Sequence, residues 1–106
     1  MTIRIRPQVS GELDEIARYL ADSNGPGVAR RFLEAAERMF AALEQTPEMG
    51  SLCQFSNPLL QDIRCWPIKG FRRHIIYYRP IQGGVEVLHV FYGVREIETL
   101  FEGETE

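Results

Sequence analysis

Phe71-Arg72-Arg73-His74-Ile75-Ile76-Tyr77-Tyr78-Arg79, followed after Gln82-Gly83-Gly84 by Val85-Glu86-Val87-Leu88-His89-Val90-Phe91-Tyr92, is the stretch that decides the fold. Both runs are rich in β-branched and aromatic side chains, which fit a pleated, half-buried surface, and the glycine pair between them is a hairpin signal. Upstream, Ile63-Arg64-Cys65-Trp66-Pro67 has the same character and predicts a third strand. At the N-terminus Ile3 and Ile5 alternate with Arg4 and Arg6 until Pro7, which cannot donate to a ladder and so closes a short first strand.

The sequence between these strands is helical. Val9, Leu13, Ile16, Ala17 and Leu20 recur at three- and four-residue spacing from Pro7 to about Ser23, leaving Asp14, Glu15, Arg18 and Asp22 on the wet side. Asn24-Gly25-Pro26-Gly27 ends that helix and starts the next, since glycine suits a helix end and proline a first turn. The second helix carries Ala29, Phe32, Leu33, Ala36, Phe40 and Leu43 on one face, with Met39 at its margin, and stops at Thr46-Pro47. Residues 48 to 61 have no clean period and read as a loop with room for one helical turn. The predicted architecture is α+β with two layers: a helical hairpin packed on one face of a four-stranded antiparallel sheet, in the order β-α-α-β-β-β. The other face of the sheet is expected to stay uncovered. Trp66, Phe71, Tyr77 and Tyr78 read as packing residues.

A chain of 106 residues with 44% hydrophobic and 25% charged side chains is expected to form a single domain, 1–106, able to bury one core. Neither an apolar run long enough to span a bilayer nor a signal-peptide pattern is present, so the expected location is cytoplasmic. Cys53 and Cys65 have no His or Cys neighbours at zinc-ligand spacing and read as free thiols, with no metal site. Phosphate-binding loops are absent too, and no cofactor is expected.

The net charge of -3 argues against a protein that grips nucleic acid over its whole surface, yet the charge is unevenly placed. Residues 1–59 carry -2; residues 60–95, with Arg64, Lys69, Arg72, Arg73, Arg79 and Arg95 against Asp62 and Glu86, carry +4; residues 96–106 carry -5. The acidic end, from about 98 to 106, is expected to be mobile, with Leu100 and Phe101 as the side chains able to dock. Glu86 inside the sheet segment is expected to pair with an arginine across the strands.

Several pieces, taken in order, resemble the ParE branch of the ParE/RelE toxin superfamily, often described as plasmid-stabilisation toxins. They are Leu13 to Leu20 in the first helix, Ala29-Arg30-Arg31-Phe32-Leu33 in the second, the exit from Leu43 to Gly50, Ile63 to Phe71 with His74-Ile75-Ile76-Tyr77-Tyr78-Arg79, and the ending Val87 to Ile97. The resemblance runs from residue 3 to residue 97. Two positions depart from the pattern: Tyr92 stands where many relatives have His, and Glu96 where Asp is common. A phenol, with an ordinary pKa near 10, is a poorer base near neutral pH than an imidazole.

The resemblance implies the toxin of a type II toxin–antitoxin pair, with a ParD-like ribbon-helix-helix antitoxin as partner. It leaves two modes of action, a ParE-like inhibitor of DNA gyrase without its own catalysis and a RelE-like ribosome-dependent mRNA endoribonuclease; a third reading is a non-toxic member acting as a binding partner. For the gyrase inhibitor the target-binding candidates are Arg64, Arg72, Arg73, Tyr92 and Arg95. For Arg64 and Arg95 the alternative is a purely structural pairing with a carboxylate such as Asp62 or Glu96. For the ribonuclease the catalytic candidates are Arg64, His89, Tyr92 and Arg95, and RNA cleavage there needs a base, an acid and phosphate donors in one place. His74 and His89, the only imidazoles, read more readily as hydrogen-bonded structural residues. Tyr19 and Met39, at the margin of the hairpin, are the candidates for contact with an amphipathic antitoxin helix.

Overall fold

The computed structural model describes residues 2–93 and Phe101. Its elements are β1 (Thr2–Ile5), α1 (Pro7–Asn24), α2 (Pro26–Gln45), β2 (Ser51–Leu52), a 3-10 turn (Pro58–Leu60), β3 (Arg64–Ile68), β4 (Phe71–Ile81) and β5 (Gly84–Tyr92). The hairpin of helices is joined by one residue. Gly25, at φ +98°, donates its N–H to the Ala21 carbonyl and accepts from Val28 with its own, so it closes α1 and opens α2 in a conformation that a side chain would strain.

The sheet has five strands in the order β1-β5-β4-β3-β2. This corrects the expected four-stranded antiparallel sheet in two ways. β1 pairs in parallel with β5, Thr2 opposite Gly84 and Ile5 opposite Val87, because the two helices carry the chain to β2 at the far edge and three antiparallel pairings bring it back to lie beside β1 in the same direction. β2 is an added edge, Ser51 opposite Cys65 and Leu52 opposite Arg64, within the stretch read as loop; the helical turn allowed for there is the 3-10 turn.

The helices bury their apolar stripes on one face of the sheet. Val9, Leu20, Phe32, Ala36, Phe40 and Leu43 pack against Ile68, Ile76, Tyr78, Val85, Val87 and Val90, and Met39 joins them half-buried. Each fully buried large side chain contributes roughly 1.5–3 kcal/mol, so this layer supplies most of the stability. The Tyr78 hydroxyl accepts the Gly50 N–H at 2.8 Å, which satisfies its polar end and fixes the chain leading into β2.

The opposite face is covered, contrary to expectation. Leu60, Ile63, Tyr77, Leu88 and Phe101 form a second buried cluster, with Cys53, Phe55, Cys65, Ile75 and Phe91 packed on it. The segment read as aperiodic supplies Phe55 and Leu60, Ile63 comes from just before β3, and Phe101 docks from the far end at 2% exposure. Two irregularities set which residues face which layer. Tyr77 opposes His89 while Tyr78 opposes Val87, so Leu88 is an extra residue that turns towards the second cluster. A register shift between Pro67 and Ile68 pairs Ile68 with Phe71 and puts Phe71 against the helices, away from Ile75 and Tyr77.

Beyond Val87, β5 has no β1 neighbour, and α1 takes over that edge. Gln8 donates to the Leu88 carbonyl at 3.4 Å, and Glu12 accepts the Val90 N–H at 2.9 Å. The other oxygen of Glu12 lies 2.6 Å from His89 Nδ1. A carboxylate can only accept, so Nδ1 carries a proton there. No helix among the described residues is long and apolar enough to cross a membrane.

Candidate functional site

The register of β4 and β5 builds one end of the sheet into a surface. His74 is opposite Tyr92, and the Gly93 N–H donates to the Arg73 carbonyl at 2.6 Å, so Arg72, Arg73 and Tyr92 are gathered at that end. All three are exposed. Beside them lies a groove of about 660 Å³ between α1 and the end of β5, lined by Glu15, Ile16 and Tyr19 from the helix and by His74, Phe91 and Tyr92 from the sheet. Tyr19 is 66% exposed and Tyr92 49%, which gives the groove two aromatic rims.

His74 forms the floor. Its ring meets the edge of Tyr92 at 5.1 Å and of Phe32 at 5.2 Å, on the helix side of the sheet. Burial lowers its pKa below the ordinary 6.5, with the Phe71 backbone pulling weakly the other way, and its Nδ1 has no well-aligned partner. At neutral pH it is an uncharged wall of the groove.

The other candidates are elsewhere. Arg64 is opposite Tyr78, four residues along β4 from His74, which is about 13 Å at the rise of a strand. Its guanidinium donates to the Gly50 carbonyl at 2.7 Å and the Glu48 carbonyl at 3.3 Å, so it ties the end of α2 to β3 through carbonyls instead of a carboxylate. Asp62 faces Arg79 at 3.3 Å, and Glu86 faces Arg6, which follows β1, at 3.4 Å. His89 stacks on Phe91 at 4.4 Å, touches Phe101 and is held by Glu12. It belongs to the second face, whereas Tyr92 stands against His74 on the helix side. Arg64, His89 and Tyr92 therefore do not converge. Arg95, Glu96 and Leu100 lie outside the described residues. Of the hairpin pair, Tyr19 is on the groove and Met39 is in the main core.

The sequence reading passed over the groove itself. Ile16 and Phe91 looked like ordinary stripe and strand residues, and nothing in a one-dimensional pattern shows that α1 overhangs the end of β5. The proximity of Cys53 and Cys65 was also missed: both pack on the second cluster, and each shifts the other's pKa. Their separation of 12 positions has no motif, and β2 has to pair with β3 before they meet. Among the described residues no group of three His, Cys, Asp or Glu side chains assembles that could hold a metal ion.

Comparison with known proteins agrees with this architecture. A search of curated proteins finds no match. Among solved structures, the chain is similar to the chromosomal ParDE TA system from P. aeruginosa, at 15% identity and a TM-score of 0.71, covering 87% of this chain and 95% of that one. At that identity the likeness is one of fold. The family model described as the ParE toxin of the type II toxin-antitoxin system parDE matches residues 3–97, close to the full length, and with it the two helices, the strand order and the β4–β5 ending are accounted for together: the chain belongs to the ParE toxin family of type II toxin–antitoxin systems.

Proposed function

We propose that this ParE-type toxin inhibits DNA gyrase without catalysis of its own and is neutralised by a ParD-like ribbon-helix-helix antitoxin. The observation that carries the reading is the exposed set Arg72, Arg73 and Tyr92 at one end of the sheet. Exposed arginine and tyrosine suit a protein surface, since they are the residue types that anchor binding. Arg64 supports that surface from a distance by fixing β3, and Arg95 is assigned to the same contact. Acid–base cleavage of RNA is the poorer fit, since Arg64, His89 and Tyr92 are apart and His89 is held in packing.

The test compares supercoiling by purified gyrase with mRNA integrity on translating ribosomes. The wild-type chain is expected to inhibit supercoiling and leave mRNA intact. Changing Arg72 and Arg73 together to Ala is expected to weaken inhibition roughly tenfold or more with little effect on folding, because both side chains are exposed. Specific cuts in translated mRNA with normal supercoiling would overturn the reading in favour of the ribonuclease.

The antitoxin helix is assigned to the groove. An amphipathic segment would place apolar anchors between Tyr19 and Tyr92, with a basic residue near the exposed Glu15. Tyr19→Glu should weaken the complex by about 2 kcal/mol, roughly thirtyfold in Kd, without unfolding the toxin. Titration calorimetry against the purified antitoxin reads this directly, and an unchanged affinity would move the site away from α1. Met39 is a poorer probe, since its half-buried side chain makes any charged substitution a core defect.

A further inference from the structure

Cys53 and Cys65 take no part in the function proposed above, and they are the chain's two cysteines. The ladder of β2 and β3, Ser51 opposite Cys65 and Leu52 opposite Arg64, continues for one step through the Cys53 N–H, which donates to the Ile63 carbonyl at 2.9 Å. Cys53 and Cys65 are thus diagonal neighbours on one face of an antiparallel pair. Both are half-buried against the second cluster. Diagonal Cα atoms are about 7–8 Å apart, just beyond the roughly 4.4–6.8 Å that disulfides span. The shortfall is about 1 Å. It falls on β2, an edge strand of two exposed residues that is the part of the sheet best able to shift.

We propose that Cys53 and Cys65 form a peroxide-responsive dithiol, with Cys65 as the attacking thiol and Cys53 as the resolving one, whose oxidation pins the segment 53–63 onto β3. In the first step the Cys65 thiolate attacks one oxygen of hydrogen peroxide. The O–O bond breaks, the sulfur takes the oxygen as a sulfenic acid, and hydroxide leaves to become water. In the second step the Cys53 sulfur attacks the Cys65 sulfur; the S–O bond breaks, the Cys53 proton goes to the departing oxygen, and a second water is released. Two thiols lose two electrons in total, and the peroxide takes them up.

The division of roles follows from their proximity. The neighbouring Cys53 thiol pulls the Cys65 pKa down against the opposing effect of burial. Its pairing with Cys65, together with burial, pushes Cys53 up, so it keeps the proton that the second step needs. Cys65 is therefore the readier of the two to become thiolate, the form that reacts. Tyr77 beside them is pushed up to about 12, mainly by burial, and does not compete as a base.

The closed ring joins residue 53 to residue 65 and traps the cover of the second face, where Leu60 and Ile63 are buried. Oxidation should therefore slow proteolysis of that segment by chymotrypsin and raise the thermal midpoint by roughly 10 °C if the bridge closes without strain. A bridge that displaces β2 gives less and is more easily reduced, which makes the device reversible.

The experiment treats the purified, folded chain with hydrogen peroxide and follows intact mass and maleimide-accessible thiols. The expected product is a monomer lighter by two hydrogens, with both thiols blocked and restored by dithiothreitol. Cys53→Ser should stop at a sulfenic acid trapped by dimedone, and Cys65→Ser should react at least tenfold more slowly than the wild type. Disulfide-linked dimers, a bridge that forms only in denaturant, or equal peroxide reactivity of the two variants would each overturn the proposal. The wild-type measurement stands by itself if either variant fails to fold.

Discussion

Alanine at position 84 is expected to cost about 4 kcal/mol and to release β1 from the sheet. Gly84 is buried where β5 begins, opposite Thr2. A Cβ there would lie 1.6 Å from the Thr2 carbonyl oxygen, 2.6 Å from its carbon and 2.9 Å from its nitrogen. All three are backbone atoms, so no side-chain rotation relieves the overlap. The strand must move, and its anchoring bond from the Thr2 N–H to the Gly83 carbonyl, 2.7 Å long, moves with it. Ile3 then leaves the main core. Urea unfolding should show the loss, and hydrogen exchange should show the amides of residues 3–6 unprotected while β4 and β5 stay protected. Gly11→Ala is the control: with nothing within 4 Å and a helical position, it should stabilise by roughly 0.5–1 kcal/mol. A Gly84→Ala protein as stable as the wild type, with β1 amides still protected, would show that the parallel pairing is not as close as described.

Gly84 also shows where the sequence was legible and where it was not. Its place after Gly83 marks a turn, and the runs on either side mark strands, because β-branched and aromatic side chains report a pleated surface locally. The helices were legible for the same kind of reason, with Val9, Leu13, Ile16, Ala17 and Leu20 repeating at the period of one face. The partner of β1 was not. Alternation of Ile3 and Ile5 tells that a strand has two faces and says nothing about which neighbour it meets or in which direction. That choice was made by the path of the chain, through the two helices to the far edge and back across three antiparallel pairings. β2, at two residues, is too short to leave a period at all.

The second face was misread for a related reason. Phe55 and Leu60 are spaced by the demands of an irregular cover and not by a helix or strand, so their burial left no pattern to detect. Phe101 lies within the acidic stretch 96–106, where charge points to water, yet it is one of the two side chains expected to dock and it is buried. With that face occupied, the described basic residues of the 60–95 segment do not share a single open surface. Arg64, Arg79 and the pair Arg72–Arg73 go to three places, and only the last has the exposure that a partner needs. Charge counted along the chain had joined what the fold separates.

Phe32→Ala is expected to cost about 4 kcal/mol and to change the charge state of the groove floor. Phe32 is fully buried on α2 and meets Phe71 at 5.3 Å and His74 at 5.2 Å, both edge to face. Truncation removes the ring that closes His74 off from below, and the unpartnered Nδ1 offers an entering water a polar partner. The His74 pKa should then rise from its depressed value towards 6.5. In the wild type the unfolded chain binds a proton at this residue more readily than the folded one. Its contribution is therefore favourable above 6.5 and is lost as the pH falls from there to the folded pKa. The difference in stability between the wild type and His74→Gln should shift against the wild type over that window, and the shift should be smaller when both carry Phe32→Ala. Urea unfolding across the pH range gives the energies, and NMR titration of the imidazole gives the pKa. A wild-type His74 that titrates at or above 6.5 would refute the desolvated floor, whatever the variants do. Because Tyr92 rests on this ring at 5.1 Å, loosening the floor should also weaken the proposed inhibition of gyrase in the Phe32→Ala protein, even though Arg72 and Arg73 are untouched. That loss would separate a surface that needs Tyr92 held in one position from one that works by positive charge alone.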